Sequence, residues 1–285
     1  MAGWPCHPYE FDEMIPLLHR QGLAVVCPSY PGNAFSTPGT KAGWKYEVFA
    51  DEVHQIMIGL GYDEYVIHGS DWGHYTARRM AHKYSKSIRA IHLSFLPADP
   101  FPQVNGKKLT VDDLNQHEKA VIERGNWWKQ RHLPYFLMLI NNSQLVGLAI
   151  HDNPMGILAW TGEKWYICAD HLTSSPDTRT RSEDCCLDWM SLMFLTQTAM
   201  TSQLPYISAE SGNGIAANDP KLYIKVPTGY TSFRYEVMGT TQAGAKASAN
   251  IVYYKEQPHG GHWSGERPVE QVEDIISTLR AAKVM

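Results

Sequence analysis

The stretch that most limits how this chain can fold is Val66-Ile67-His68-Gly69-Ser70-Asp71-Trp72-Gly73-His74. The apolar run Tyr65 to Ile67 reads as a buried strand. Gly69 and Gly73 then bracket Asp71, and beyond them Tyr75, Ala77, Met80 and Ala81 mix with Arg78, Arg79 and Lys83, as on a helix buried along one face. The pattern is strand, sharp turn and helix, with one reactive side chain at the apex, the layout of a nucleophile elbow with Asp at the reactive position. Small residues flank the apex because a tight turn leaves no room for a Cβ. An Asp capping the helix N-terminus accounts for the same pattern without chemistry.

A carboxylate at an elbow narrows the chemistry. It is ionised near neutral pH and attacks an sp³ carbon directly, leaving an alkyl ester that water must then cleave. Epoxide opening or halide displacement fits such a nucleophile; peptide or lipid hydrolysis does not. Cleaving the ester calls for a histidine oriented by a carboxylate later in the chain. His262, in Gly260-Gly261-His262-Trp263, lies in a loop after the last expected strand. Glu236, in Phe233-Arg234-Tyr235-Glu236, follows the expected strand Leu222 to Val226, the chain position of a triad acid. Asp219 competes for that role but precedes the strand, and both His262 and Glu236 also read as ordinary polar loop residues.

Strands are expected at Leu23 to Cys27, at the elbow, at Ile88 to Phe95, at Leu222 to Val226 and at Ala249 to Tyr254. Helices alternate with them. One at Tyr46 to Leu60 carries Val53, Ile56, Met57 and Leu60 as an apolar stripe, and the closing one carries Val272, Ile275, Ile276 and Leu279. That alternation predicts an α/β fold with a mostly parallel sheet. From about Ala98 to Asn218 the rhythm is helical, with five of the nine tryptophans. The expected division is 1–97 for a first part of the core, 98–218 for a helical lid and 219–285 for the rest of the core.

Composition removes other classes. A formal charge of -4 at pH 7 gives no reason to expect nucleic acid. The most apolar runs, Leu133 to Ile140 and Leu187 to Met200, read as too short or too charged to span a bilayer, and the first residues do not read as a signal peptide. Five cysteines, two of them adjacent, make no disulfide framework, so a reducing cytoplasm is expected. The thirteen histidines form no metal-ligand spacing, and no metal or cofactor is expected.

Several ordered motifs carry a resemblance. Gly3-Trp4-Pro5, Ser29-Tyr30-Pro31-Gly32 with Phe35-Ser36, Gly69-Ser70-Asp71-Trp72-Gly73, Asp152 to Trp160 with Glu163-Lys164, and Gly260-Gly261-His262-Trp263 with Glu266-Arg267-Pro268 are similar to the HGxP, PGYGFS, GGDWG, DSPVGLLAW…EK and GGHF…E-P motifs of the α/β-hydrolase epoxide hydrolases. The microsomal-type branch is the most similar. The resemblance implies Asp71 as nucleophile, His262 as base and Glu236 as its partner. Tyr135 and Tyr206 fall where that family has two tyrosines that donate to the epoxide oxygen, and a phenol of pKa about 10 stays protonated to do so. The backbone N–H groups of Trp4 and Trp72 would form the oxyanion hole. The implied substrate is a small apolar epoxide, opened to a diol. A haloalkane dehalogenase-like hydrolase and a non-catalytic binding protein of the same fold are the alternatives. The family has His where this chain has Ala2, and strands before Gly3 that this chain lacks. An incomplete sheet is therefore expected, with either a gap or a closing-up that displaces Trp4 and Trp72. A homodimer that donates a strand stays open.

Overall fold

The computed structural model describes residues 1–5, 8–39, 45–170, 176–210 and 222–285. After a 3-10 turn at Pro8–Phe11 come α1 (Met14–Arg20), α2 (Tyr46–Gly59), β1 (Tyr65–Gly69), α3 (Trp72–Lys83) and β2 (Ile88–Leu93). A small exposed ribbon follows, β3 (Gln103–Val104) against β4 (Lys107–Lys108). Then come α4 (Gln116–Arg131), α5 (Leu133–Ile150), α6 (Pro154–Ile157), a π-helical turn at Leu158–Gly162, α7 (Glu163–Cys168), α8 (Pro176–Leu195) and α9 (Leu204–Glu210). The chain closes with β5 (Ile224–Phe233), α10 (Gln242–Ser248), β6 (Ala249–Gln257) and α11 (Pro268–Ala281).

Among the described residues the main sheet runs β1-β2-β5-β6, and every pairing is parallel. Parallel neighbours need crossover connections, which α3, the long helical stretch and α10 supply. Helix α3 packs on β1, β2 and β5, and α11 packs on β2, β5 and β6. Residues Ile67, Ile91, Leu93, Tyr230, Ala77, Met80, Ile275 and Leu279 are buried between these elements. The apolar stripe of α11 is buried throughout, as its periodicity predicts. That of α2 is not. Phe49, Ala50 and Val53 are covered, whereas Ile56 and Leu60 face outward, because α2 leans on α3 through its first turns.

Two sequence expectations are corrected. Leu23 to Cys27 does not form a strand. A run of β-prone residues becomes a strand only through a hydrogen-bonded neighbour, and here none adjoins it. A cavity of about 400 Å³ separates residues 22–28 from β1, lined by Phe11, Met14, Val53, Val66 and Ile275 among others. The outer edge of β1 meets Met1 instead. The Met1 ammonium donates to the His68 carbonyl at 2.6 Å, and Ser70 N–H donates to the Met1 carbonyl at 3.2 Å. Burial lowers the pKa of that ammonium. The second correction concerns α5. Its 18 residues are long and apolar enough, by length and composition, to cross a membrane. In this fold Leu139, Val146 and Ile150 are buried, α5 packs on α9, and the helix breaks at Asn142.

Candidate active site

The apex of the β1–α3 turn is Asp71, whose φ of 47° and ψ of -124° are unfavourable for a residue with a Cβ. Such an outlier persists only where its surroundings fix it. One restraint is visible: Trp4 N–H donates to Asp71 Oδ1 at 2.9 Å. Gly3 has to be glycine for this approach, since a Cβ there would overlap the Asp71 carboxylate. Trp72 opens α3, and first-turn N–H groups have no acceptor within their own helix. Of the two expected alternatives, closing-up with displacement of Trp4 is not seen: a cavity lies on the outer side of β1 while Trp4 stays against Asp71.

His262 stands between two carboxylates. Its Nε2 is 3.3 Å from Asp71 Oδ2, and its Nδ1 is 2.7 Å from Glu236 Oε1. Glu236 is fully buried just past β5, where its Oε1 also accepts from Val237 N–H at 2.6 Å and Met238 N–H at 3.4 Å. Burial alone would lower the pKa of His262. The negative charge of Glu236, and then the bond to Asp71, overcome it and hold the imidazole well above its ordinary range. Asp219, the competing acid, lies outside the described residues.

Tyr135 and Tyr206 reach the same place from different helices, α5 and α9. Their rings are 6.4 Å apart, and Trp4 contacts both, at 6.2 and 5.4 Å between centroids. A side-chain hydrogen bond joins the two phenols. Burial raises both phenol pKa values well above the usual one, and the charge of Asp71 adds to the rise. Both hydroxyls therefore stay protonated as donors. The indole of Trp72 and the ring of Phe136 pack on Tyr206 at 4.9 and 5.6 Å. Asp71, His262, Glu236, Tyr135, Tyr206, Trp4 and Trp72 thus lie together: two carboxyls on either side of one imidazole, two phenols, and two tryptophans beside Asp71.

Sequence reasoning passed over three carboxylates beside the His262 loop: Glu10, Asp170 and Glu266. Glu266 stands four residues after His262 within a recognised motif, but nothing in the pattern says that a carboxylate there faces inward.

The profile of the alpha/beta hydrolase fold matches residues 2–113. Proteins named for epoxide hydrolase activity from Stigmatella aurantiaca and Dothistroma septosporum are 29% and 30% identical to this chain, over 98% and 96% of it and 64% and 63% of their own lengths. Epoxide hydrolase 1 of Sus scrofa is 26% identical over 96% of this chain and 65% of its own. The chain thus spans just under two thirds of these curated relatives. Among solved structures, the Aspergillus niger epoxide hydrolase superposes with a TM-score of 0.81 at 24% identity, covering 99% of this chain and 71% of that one. The Bombyx mori juvenile hormone epoxide hydrolase does so with a TM-score of 0.80 at 21% identity, covering 99% and 71%. This chain has the α/β-hydrolase fold, and over nearly all of its length it resembles the epoxide hydrolases.

Proposed function

We propose that this chain hydrolyses a small apolar epoxide to a vicinal diol through an alkyl ester on Asp71. The observation that carries the reading is the continuous line from Trp4 N–H through Asp71 and His262 to Glu236, with two buried phenols beside the nucleophile.

The reaction runs in two steps. Asp71 Oδ attacks an epoxide carbon, the C–O bond breaks, and the ring oxygen takes a proton through Tyr135 or Tyr206. His262 then removes a proton from water, the hydroxide adds to the ester carbonyl, and the N–H groups of Trp4 and Trp72 face the oxyanion. Collapse releases the diol and regenerates the Asp71 carboxylate. Glu236 holds His262 in orientation and stabilises its imidazolium. The aromatic wall of Trp4, Trp72, Phe136 and Tyr206 favours an apolar substrate. We assign residues 98–218 the role of a lid, since two of its helices bring the phenols over Asp71. Cys27, Cys168, Cys185 and Cys186 are free thiols, which supports a reducing, cytoplasmic setting. Halide displacement would use indole N–H donors, so the phenol pair separates the two Asp-dependent reactions.

The test is turnover of a panel of styrene-oxide-like and alkyl epoxides, with Asp71→Ala as control. Diol formation abolished by that substitution is expected. Halide release from haloalkanes, with every epoxide inert, would overturn the assignment.

A further inference from the structure

The loop that carries His262 has an unusual set of acceptors. Gly260 N–H donates to Asp170 Oδ2 at 2.8 Å, and Gly261 N–H to Glu266 Oε2 at 3.1 Å. His262 N–H donates to the Cys168 carbonyl at 3.0 Å. Trp263 N–H donates to Glu266 Oε1 at 3.0 Å, and Ser264 N–H to Glu10 Oε1 at 2.6 Å. Five consecutive backbone donors are satisfied, four of them by carboxylates from three separate parts of the chain. Glu266 grips the residues on both sides of His262, one with each oxygen. Its Oε2 also accepts from Asp170 N–H at 2.7 Å, just beyond α7. The fit is close: a Cβ on Gly261 would lie 2.6 Å from the Cys168 carbonyl.

We propose that Glu266, assisted by Asp170 and Glu10, is a positioning residue that fixes His262 to the helical segment and governs ester hydrolysis rather than ring opening. The inference rests on the epoxide hydrolase reading above. The selectivity follows from geometry. In ring opening Asp71 is the attacking group and is held by Trp4 N–H, so the exact place of the His262 loop matters little. In hydrolysis Nε2 has to meet a water aimed at the ester carbon, where a fraction of an ångström counts. Burying carboxylates is costly unless donors compensate them. Burial pushes both Glu266 and Glu10 up to about 7, against the opposing pull of their backbone donors. A fold that accepts that cost around one loop is holding the loop for a reason.

Glu266→Gln is the main test. Its amide NH₂ turns a donor toward backbone donors, so at least one clamp is lost. In single-turnover reactions of wild type and variant, tryptophan fluorescence follows ring opening and intact mass follows decay of the Asp71 adduct. We expect decay to slow about 10- to 100-fold, the scale of an ångström-sized misplacement, with ring opening within about 3-fold. Asp170→Ala, which frees Gly260 N–H and also removes the carboxylate 3.9 Å from the Arg267 guanidinium, should show the same split at smaller size, and it serves if Glu266→Gln does not fold. A second readout needs no substrate. In ¹⁵N-histidine NMR, His262 should titrate at lower pH in the variant, because its contacts with Glu236 and Asp71 loosen. Equal slowing of both steps, or unchanged decay, overturns the proposal. If the wild type forms no adduct with any epoxide, the reaction assigned above fails instead, and an unchanged His262 titration then overturns the positioning role by itself.

Discussion

Replacing Glu236 by Gln tests the hydrolytic half of the reaction through a single charge. Glu236 Oε1 is 2.7 Å from His262 Nδ1 and also accepts from two backbone N–H groups. Those backbone donors keep a Gln oxygen in the same place, so the geometry survives while the charge is lost. At that separation and an effective dielectric of about 20, unit charges attract by about 6 kcal/mol. This is a ceiling, because the amide oxygen still accepts a neutral hydrogen bond. Exchanging a charged for a neutral bond sets a floor of about 1 kcal/mol. The imidazolium of the hydrolytic transition state should therefore lose about 1–5 kcal/mol of support, a slowing of about 5- to 5,000-fold. Ring opening does not make His262 more positive and should change by less than about 3-fold on the same reasoning. Stopped-flow tryptophan fluorescence reads both steps, since Trp4 and Trp72 flank Asp71. Hydrolysis slowed less than about 5-fold, or ring opening slowed as much as hydrolysis, would refute the electrostatic role assigned to Glu236.

Three further outcomes are expected. His262→Gln should still be alkylated but not released, and intact-mass analysis after mixing with epoxide should show one substrate added; diol turnover at the wild-type rate would remove His262 from the mechanism. Tyr135→Phe or Tyr206→Phe should slow ring opening by about 10²–10³-fold, as loss of one donor does at other oxyanion sites; single-turnover fluorescence measures this, and an unchanged rate strikes that tyrosine from the site. The third outcome concerns stability against pH. The Glu10 carboxyl is raised from 4.5 to about 7, so its contribution is fully present below 4.5 and is lost as pH rises through about 7. The melting temperature should fall across that window, and by less in Glu10→Gln; parallel curves for the two proteins would contradict the assignment.

How far the sequence could be read differs by element. The elbow was legible because strand, turn and helix each leave a local signal, and the Asp at their junction is a single chemical choice. Glu236 was legible from its place after β5, a matter of chain order. The acceptors around Gly260 to Ser264 were not, because a carboxylate that takes a backbone N–H from a distant loop leaves no periodicity. Glu10 and Ser264 are 254 positions apart. Leu23 to Cys27 was misread for a related reason: strand propensity is local, but a ladder is made with a neighbour. The apolarity of α5 was undercounted because its polar residues are uncharged.

The position of His262 between two carboxylates also couples its proton to the state of the nucleophile in the proposed reaction. Against the opposing pull of burial, the charge of Glu236 and the bond to Asp71 both raise the affinity of the imidazole for a proton. Forming the ester removes the Asp71 charge, one of the influences that keep that proton on the ring. The histidine then gives up a proton more readily, which suits the base that the second step requires. Water restores the proton to the ring when it attacks, and hydrolysis restores the charge to Asp71. The neutral base is thus favoured once there is an ester for it to act on, which ties the order of the two steps to the charge of the nucleophile.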